Sequence, residues 1–111
     1  MAEFVQITTT TADRSDAERI AAQLVERRLA GCVQIVGPIQ SLYRWKAAVE
    51  SSEEWLAIVK TRHDQVAAIE KLLAQIHPYE VPELIVTPIV GGGASYLEWL
   101  GAQIGPEPDG G

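Results

Sequence analysis

The chain is poor in cysteine, in positive charge and in long apolar segments. Its 111 residues include one cysteine, Cys32, which excludes an intrachain disulfide framework and favours a reducing compartment such as the cytoplasm. Nine basic residues against fifteen acidic ones leave a net charge of −6. This balance argues against nucleic acid or an anionic membrane surface as a partner, because both need clustered Lys and Arg.

The sequence pattern also predicts neither a membrane-spanning helix nor a signal peptide. No stretch reaches the roughly 20 apolar residues of a membrane-spanning helix. The N-terminus is acidic, and its one apolar run is too short for a signal peptide. A hydrophobic content of 47% with 22% charged residues is typical of a globular protein. We therefore predict a single domain over residues 1–104 and a flexible tail over the Gly- and Pro-rich residues 105–111.

Periodicity predicts alternating strands and helices. Apolar residues recur at helical spacing from Ala17 to Leu29, and Gly31 fits a left-handed helix stop. The order predicted is strand, helix, strand, then a hairpin with its turn at Glu50–Glu53, then strand, helix, strand and a terminal helix. This order favours an α+β fold, the ferredoxin-like βαβ-βαβ sandwich with one antiparallel sheet, a long β2–β3 hairpin and a C-terminal helix.

The hairpin predicted by this pattern is longer than the domain that carries it. If residues 32–45 are extended at about 3.3 Å each, they span roughly 46 Å. A compact chain of this length has a diameter of about 34 Å. The end of the hairpin carries Leu42, Tyr43, Trp45 and Val49, which a solitary hairpin leaves in water. Length and apolar content thus predict association with further copies of the chain.

Five segments resemble the signature segments of one family, in order and spacing. They are Leu29-Ala-Gly-Cys-Val33, Ser41-Leu-Tyr-Arg-Trp45, Val59-Lys-Thr61, His77-Pro-Tyr-Glu-Val-Pro-Glu83 and Tyr96-Leu-Glu-Trp-Leu100. Together they resemble the CutA divalent-ion tolerance family. The resemblance implies the ferredoxin-like fold, a homotrimer similar to the P-II signalling proteins, divalent-metal tolerance with copper as the metal most often linked to it, and no catalytic activity.

The resemblance has two departures that bear on copper. Some family members carry a Cys in the first strand that has been proposed as a copper ligand, and the matching position here is Thr9. Some carry a second His before the His-Pro-Tyr segment, where this chain has Ile76. Two soft or nitrogen donors are therefore absent, which predicts a copper site that is weaker or differently built.

The strongest metal candidates are His77, Glu80 and Cys32. His77 lies at a predicted helix end beside Glu80, and imidazole with carboxylate suits Cu²⁺ or Zn²⁺. The alternative is that His77 only caps the helix carbonyls and interacts with the helix dipole. Cys32 is either a thiolate ligand for Cu(I) or a small buried apolar residue.

A second group of residues predicts a ligand cleft or an interface. Lys60 is a cation within an apolar strand, and the partner strand of the hairpin carries Tyr43, Arg44 and Trp45. Tyr79 lies in the loop after the second predicted helix. These residues either bind a small anion between subunits or pack the subunit interface.

Two functional hypotheses follow. The first is a trimeric, cytoplasmic, non-enzymatic divalent-cation tolerance protein that binds copper or another divalent metal. The second is a P-II-like sensor or scaffold that binds a small anion or a protein partner in clefts between subunits. No organic cofactor, nucleic acid or membrane is expected in either case.

Overall fold

The computed structural model describes residues 3–106 of the chain. Residues 107–111 of the predicted tail lie outside the described residues. The described chain forms β1 (Phe4–Thr11), α1 (Arg14–Glu26), β2 (Cys32–Trp45), β3 (Ala48–Arg62), a 3₁₀ turn (His63–Gln65), α2 (Val66–Ile76), β4 (Ile85–Ile89) and α3 (Ala94–Ala102).

The four strands form one sheet in the order β2-β3-β1-β4, and every neighbouring pair is antiparallel. β1 and β2 therefore run in the same direction with β3 inserted between them, which is the split βαβ arrangement of the ferredoxin-like sandwich. The predicted α+β fold, with its long β2–β3 hairpin and C-terminal helix, is confirmed.

The hydrophobic core lies between one face of the sheet and the helices α1 and α2. It is built from apolar side chains of alternate strand positions and of one stripe on each helix. The core residues are Val5, Ile7, Ile20, Leu24, Ala30, Val59, Ile69, Leu72 and Leu73. No helix within residues 3–106 is long and apolar enough to cross a membrane.

The outer face of the sheet, opposite α1 and α2, is covered at one end by α3. Lys60 alternates with the buried Val59 and Thr61, so its side chain points to this outer face. Its ammonium group lies 5.6 Å from the ring centre of Tyr96 in α3. The terminal helix thus packs against the sheet on the side that the other helices leave open.

The hairpin extends well beyond the rest of the sheet. β1 ends at Thr11, which pairs with Trp55, so Ala48–Glu54 pairs only with β2. We call residues 39–54 the hairpin arm. The molecule measures 52 × 27 × 22 Å, and its longest dimension exceeds the roughly 34 Å diameter of a compact chain of this size. A hairpin that outreaches its own domain was predicted correctly.

The predicted turn at Glu50–Glu53 is wrong, because these residues lie inside β3 and pair with β2. The chain reverses at Lys46 and Ala47, whose φ angles are 49° and 66°. Positive φ at both central positions is the conformation of a two-residue type I′ hairpin turn, whose usual signature is Asn-Gly. Neither residue carries that signature, so the pattern placed the turn in a polar segment instead.

Gly31 was also interpreted incorrectly. The left-handed residue after α1 is Arg28, with φ of 58°. A Cβ atom on Gly31 would lie 2.6 Å from Cδ1 of the buried Leu100, so a side chain at this position would have to displace Leu100 of α3. Arg28 also holds the chain after α3: its carbonyl accepts the Gly105 N–H at 2.9 Å, and its guanidinium donates to the Gly105 carbonyl at 2.6 Å.

A matched pair of buried threonines provides a test of the core. Thr9 Oγ1 is fully buried and has no hydrogen-bond partner within residues 3–106, whereas Thr61 Oγ1 donates to the Leu29 carbonyl at 2.6 Å. Thr9→Val should raise the free energy of unfolding by about 1 kcal/mol, because a methyl group replaces an unsatisfied hydroxyl. Thr61→Val should lower it by about 1–2 kcal/mol. Urea unfolding checks both, and a loss of stability in Thr9→Val would contradict this account.

Candidate functional site

The loop between α2 and β4, residues 77–84, is anchored to the sheet by His77. Pro78 cannot continue the helix, so α2 ends at Ile76 and His77 is extended. The His77 Nε2 atom lies 3.0 Å from the Thr10 carbonyl oxygen. The Tyr79 N–H donates to Nδ1 at 3.1 Å. Both ring nitrogens of this buried imidazole therefore have backbone partners.

These hydrogen bonds determine the tautomer of His77. Because Nδ1 accepts the Tyr79 N–H, it carries no proton, and Nε2–H donates to Thr10. Burial lowers the pKa of His77 below its usual 6.5, although the Thr10 carbonyl, Asp16 and Glu54 oppose this shift. The ring is thus neutral near pH 7, and its one lone pair already accepts a hydrogen bond. A metal could bind Nδ1 only after the Tyr79 N–H had left it.

Tyr79 connects this loop to the hairpin arm. Its hydroxyl donates to Oε2 of Glu54 at 2.6 Å. Glu54 is the first β3 residue beyond the end of β1, and only 7% of it is exposed. Burial, followed by the hydrogen bond and the charge of Glu54, raises the pKa of Tyr79 above its usual value. The hydroxyl therefore remains a hydrogen-bond donor at neutral pH.

A cleft of about 710 Å³ lies between the hairpin arm and the 77–84 loop. We call it the arm cleft. Apolar and aromatic side chains form most of its walls, and all the charged side chains among its lining residues are acidic. The lining residues are Thr10, Ser41, Leu42, Tyr43, Trp45, Glu54, Pro78, Tyr79, Glu80, Val81, Pro82 and Glu83.

The structure brings together some of the candidate residues and separates others. Tyr43, Trp45, Tyr79 and Glu80 line the arm cleft. Lys60 pairs with Cys32 near the other end of β3, about twelve residues and roughly 40 Å from the hairpin turn. Arg44 is exposed on the arm, outside the cleft lining. Within one chain, Lys60 and the arm residues do not share a cleft.

The three predicted metal ligands are likewise not neighbours in one chain. Cys32 is directly opposite Lys60, so its side chain is on the outer face of the sheet. His77 contacts Thr10, which pairs with Leu56, four residues or roughly 13 Å along β3 from Lys60. Residues 3–106 contain no group of three or more His, Cys, Asp or Glu side chains that could hold a metal ion.

The residue that the sequence interpretation missed is Glu54. The sequence pattern predicts no role for Glu54, whereas the structure shows it buried and hydrogen-bonded to Tyr79. One signal was available: the outer-face series Glu54, Leu56, Ile58 begins with a carboxylate. An acidic residue in line with apolar strand positions indicates burial that a polar neighbour must offset.

The fold and the arm cleft define a class of protein: a small ferredoxin-like α+β subunit with an extended hairpin arm. Comparison with known families identifies it further. The family model described as "CutA1 divalent ion tolerance protein" matches residues 5–103. The chain belongs to the CutA1 divalent ion tolerance family.

Relatives with known names agree with this membership. The "Divalent-cation tolerance protein CutA" of Pectobacterium atrosepticum is 38% identical over 104 residues, covering 94% of each chain. Vertebrate and plant proteins named CutA are 40% to 45% identical over 76% to 82% of this chain. The chain spans only 47% to 60% of the length of those longer relatives.

Solved structures of the family have the same fold. The CutA1 structure from Shewanella sp. SIB1, described as a stable protein, has a TM-score of 0.89 at 43% identity, covering 93% of this chain and 96% of that one. The CutA structure from Archaeoglobus fulgidus, described as a periplasmic divalent cation tolerance protein, has a TM-score of 0.85 at 35% identity, covering 87% and 94%.

The neutral state of His77 leads to a pH prediction. Its pKa is lowered in the folded protein, so the unfolded chain binds the proton first as pH falls below about 6.5. The contribution of His77 is fully present above that pH and is lost as pH falls towards the lowered value. His77→Gln should therefore lose less stability than the parent between about pH 7.5 and pH 5.5.

The measurement is urea unfolding at both pH values and one protein concentration. His63→Gln, at an exposed histidine on the 3₁₀ turn, is the control and should follow the parent. If the parent and His77→Gln lose equal stability, the buried imidazole is not responsible for the acid sensitivity.

Proposed function

We propose that this chain acts as a homotrimeric, non-enzymatic divalent-cation tolerance protein whose metal sites are completed between subunits. The observation that carries the proposal is the apolar hairpin arm. Leu42 is 72% exposed and Val49 is 61% exposed, and both lie on the hairpin arm, which pairs with no third strand within residues 3–106. Apolar patches of this kind are typical of protein–protein interfaces.

Free strand edges supply the second argument for association. β2 and β4 are the two edge strands of the sheet, and the arm extends the β2 edge by seven residues beyond the point where β1 ends. Unpaired backbone N–H and C=O groups along such an edge favour pairing with another chain. The number three comes from the family resemblance, and the structure of one chain is compatible with it.

Metal binding then requires donors from more than one chain. One chain offers no cluster of three donors within residues 3–106. Glu80 and Glu83 are exposed carboxylates in the arm cleft, and Cys32 is partly exposed on the outer face. We propose copper or another divalent cation as the ligand, with Glu80 and Cys32 as donors and with His77 joining only if the Tyr79 N–H is displaced.

The alternative of a P-II-like sensor with ligands between subunits is favoured by one feature, the arm cleft itself. Its volume lies within the range of small-molecule sites. The charged side chains of its lining are all acidic, which does not favour binding of a small anion, the ligand that Lys60 predicts. We also propose a cytoplasmic location, based on the single cysteine, and fractionation of the source cells would test it.

The assembly prediction concerns the arm. Sedimentation at micromolar concentration should give about three times 12.1 kDa, because the arm pairs with no third strand within residues 3–106 and leaves apolar side chains exposed. Trp45→Ala and Val49→Ser should shift the distribution towards smaller species through loss of apolar contact area. Val25→Ser, at a 43% exposed position on α1, should remain trimeric. A parent protein that sediments as a compact monomer would refute the proposal.

The metal prediction concerns the 77–84 loop. Calorimetric titration with Cu²⁺ at neutral pH should detect binding no tighter than about micromolar, since few donors are available. Glu80→Gln should weaken binding about tenfold through loss of a carboxylate donor. Glu70→Gln, an exposed residue on α2, should bind like the parent.

One result of this titration would decide against the proposed metal site, and another would determine the role of His77. Equal affinity in Glu80→Gln and Glu70→Gln would place the bound copper elsewhere. Unchanged affinity in His77→Gln would show that the imidazole only anchors the loop, and loss of affinity would show that Tyr79 yields Nδ1 to the metal.

A further inference from the structure

The hairpin tip, residues 44–49, carries positive charge that its own chain does not neutralise. It contains Arg44 and Lys46 and no acidic residue. Neither side chain forms an ion pair among the described residues. Arg44 alternates with Trp45, so it projects from the opposite face of the hairpin to this aromatic side chain of the arm cleft. The exposed cations of the tip are therefore available to a second molecule.

The 77–84 loop carries the opposite charge. Glu80 and Glu83 are exposed there, and the loop contains no Lys or Arg. Neither carboxylate forms an ion pair in the part of the chain that the structure describes. Val81 of the loop is 65% exposed, and Val49 of the hairpin tip is 61% exposed. The tip and the loop thus complement each other in charge, and both present apolar surface.

Symmetry requires that a ring of three copies joins two different surfaces of the chain. A surface that contacts its own copy closes a twofold dimer, whereas in a ring each chain presents one surface to each neighbour. The arm reaches roughly 23 Å past the end of β1 at about 3.3 Å per residue. This length is comparable with the two shorter dimensions of the molecule, 27 and 22 Å. The arm of one copy is therefore long enough to place its tip against the loop of the next.

We propose that the 77–84 loop is the docking surface for the hairpin tip of a second copy of this chain, with Arg44 and Lys46 of one copy against Glu83 of the other. The inference rests on the proposed homotrimer and adds which two surfaces meet. Opposite charges at this contact favour head-to-tail association, whereas tip-to-tip association would bring like charges together.

Disulfide cross-linking between two kinds of chain tests the contact. Ala48→Cys in the tip and Val81→Cys in the loop are each made in a Cys32→Ser background and co-expressed with tags of different size. Oxidation should link the two kinds of chain into a covalent dimer on a non-reducing gel, because a disulfide needs Cβ atoms only about 4 Å apart. Neither variant alone should form a covalent dimer, and the Cys32→Ser protein is the blank.

Charge exchange tests the electrostatic part of the contact. Arg44→Glu and Glu83→Arg should each lower the urea concentration at which sedimentation shows the trimer dissociating, because like charges then face each other. The double variant should recover most of this loss, because it restores opposite charges with their positions exchanged. Lys71→Glu, at an exposed position on α2, changes the net charge as Arg44→Glu does and should behave like the parent.

The outcomes separate this inference from the trimer proposal. A monomeric parent would overturn both, whereas a trimeric parent without a link between Ala48→Cys and Val81→Cys chains would overturn the docking surface alone. A covalent dimer in Ala48→Cys alone would show tip-to-tip contact instead. A double charge variant no more stable than either single variant would show that Arg44 and Glu83 do not pair. Should a charge variant fail to fold, the cross-linking, which leaves both charges in place, still decides the contact.

Discussion

The structure depends on a difference in strand length. β1 stops at Thr11, opposite Trp55, while the β2–β3 hairpin continues to its turn at Lys46 and Ala47. Past that point the hairpin pairs with no third strand within the described residues 3–106. The arm's exposed apolar side chains, the free edge of β2 and the space filled by the 77–84 loop all result from this single mismatch. Oligomer formation and ligand binding are proposed at the place that the mismatch creates.

A short series of hydrogen bonds fixes the loop against the arm. The Thr10 carbonyl accepts from His77, His77 accepts from the Tyr79 N–H, and the Tyr79 hydroxyl donates to Glu54. Each of these hydrogen bonds involves a neighbouring group in the series. The imidazole of His77, the phenol of Tyr79 and the carboxylate of Glu54 are thus all hydrogen-bonded, and none of these bonds is an ion pair. This arrangement explains why His77 is better described as an anchor of the cleft than as a preformed metal ligand.

The sequence interpretation succeeded where a signal repeats and failed where a single residue decides. The apolar stripes of α1 and α2 repeat every three or four residues, so both helices were correctly predicted. The hairpin turn depends on two residues in the left-handed region that lack the usual glycine, and its position was missed. Gly31 was predicted to end the helix in a left-handed conformation. The structure instead shows that a side chain at this position would meet Leu100, sixty-nine residues later in the chain.

For this protein the sequence by itself determined the fold class, the overlong hairpin and membership of a family, because periodicity, segment length and motif spacing are local properties. Only the tertiary structure decided what the candidate residues can do. It separated Cys32 and Lys60 from the arm, engaged both nitrogens of His77, and buried Glu54 beneath Tyr79. These outcomes depend on strand register and on the end of β1. Register and strand ends are set by packing between distant segments, which no local pattern records.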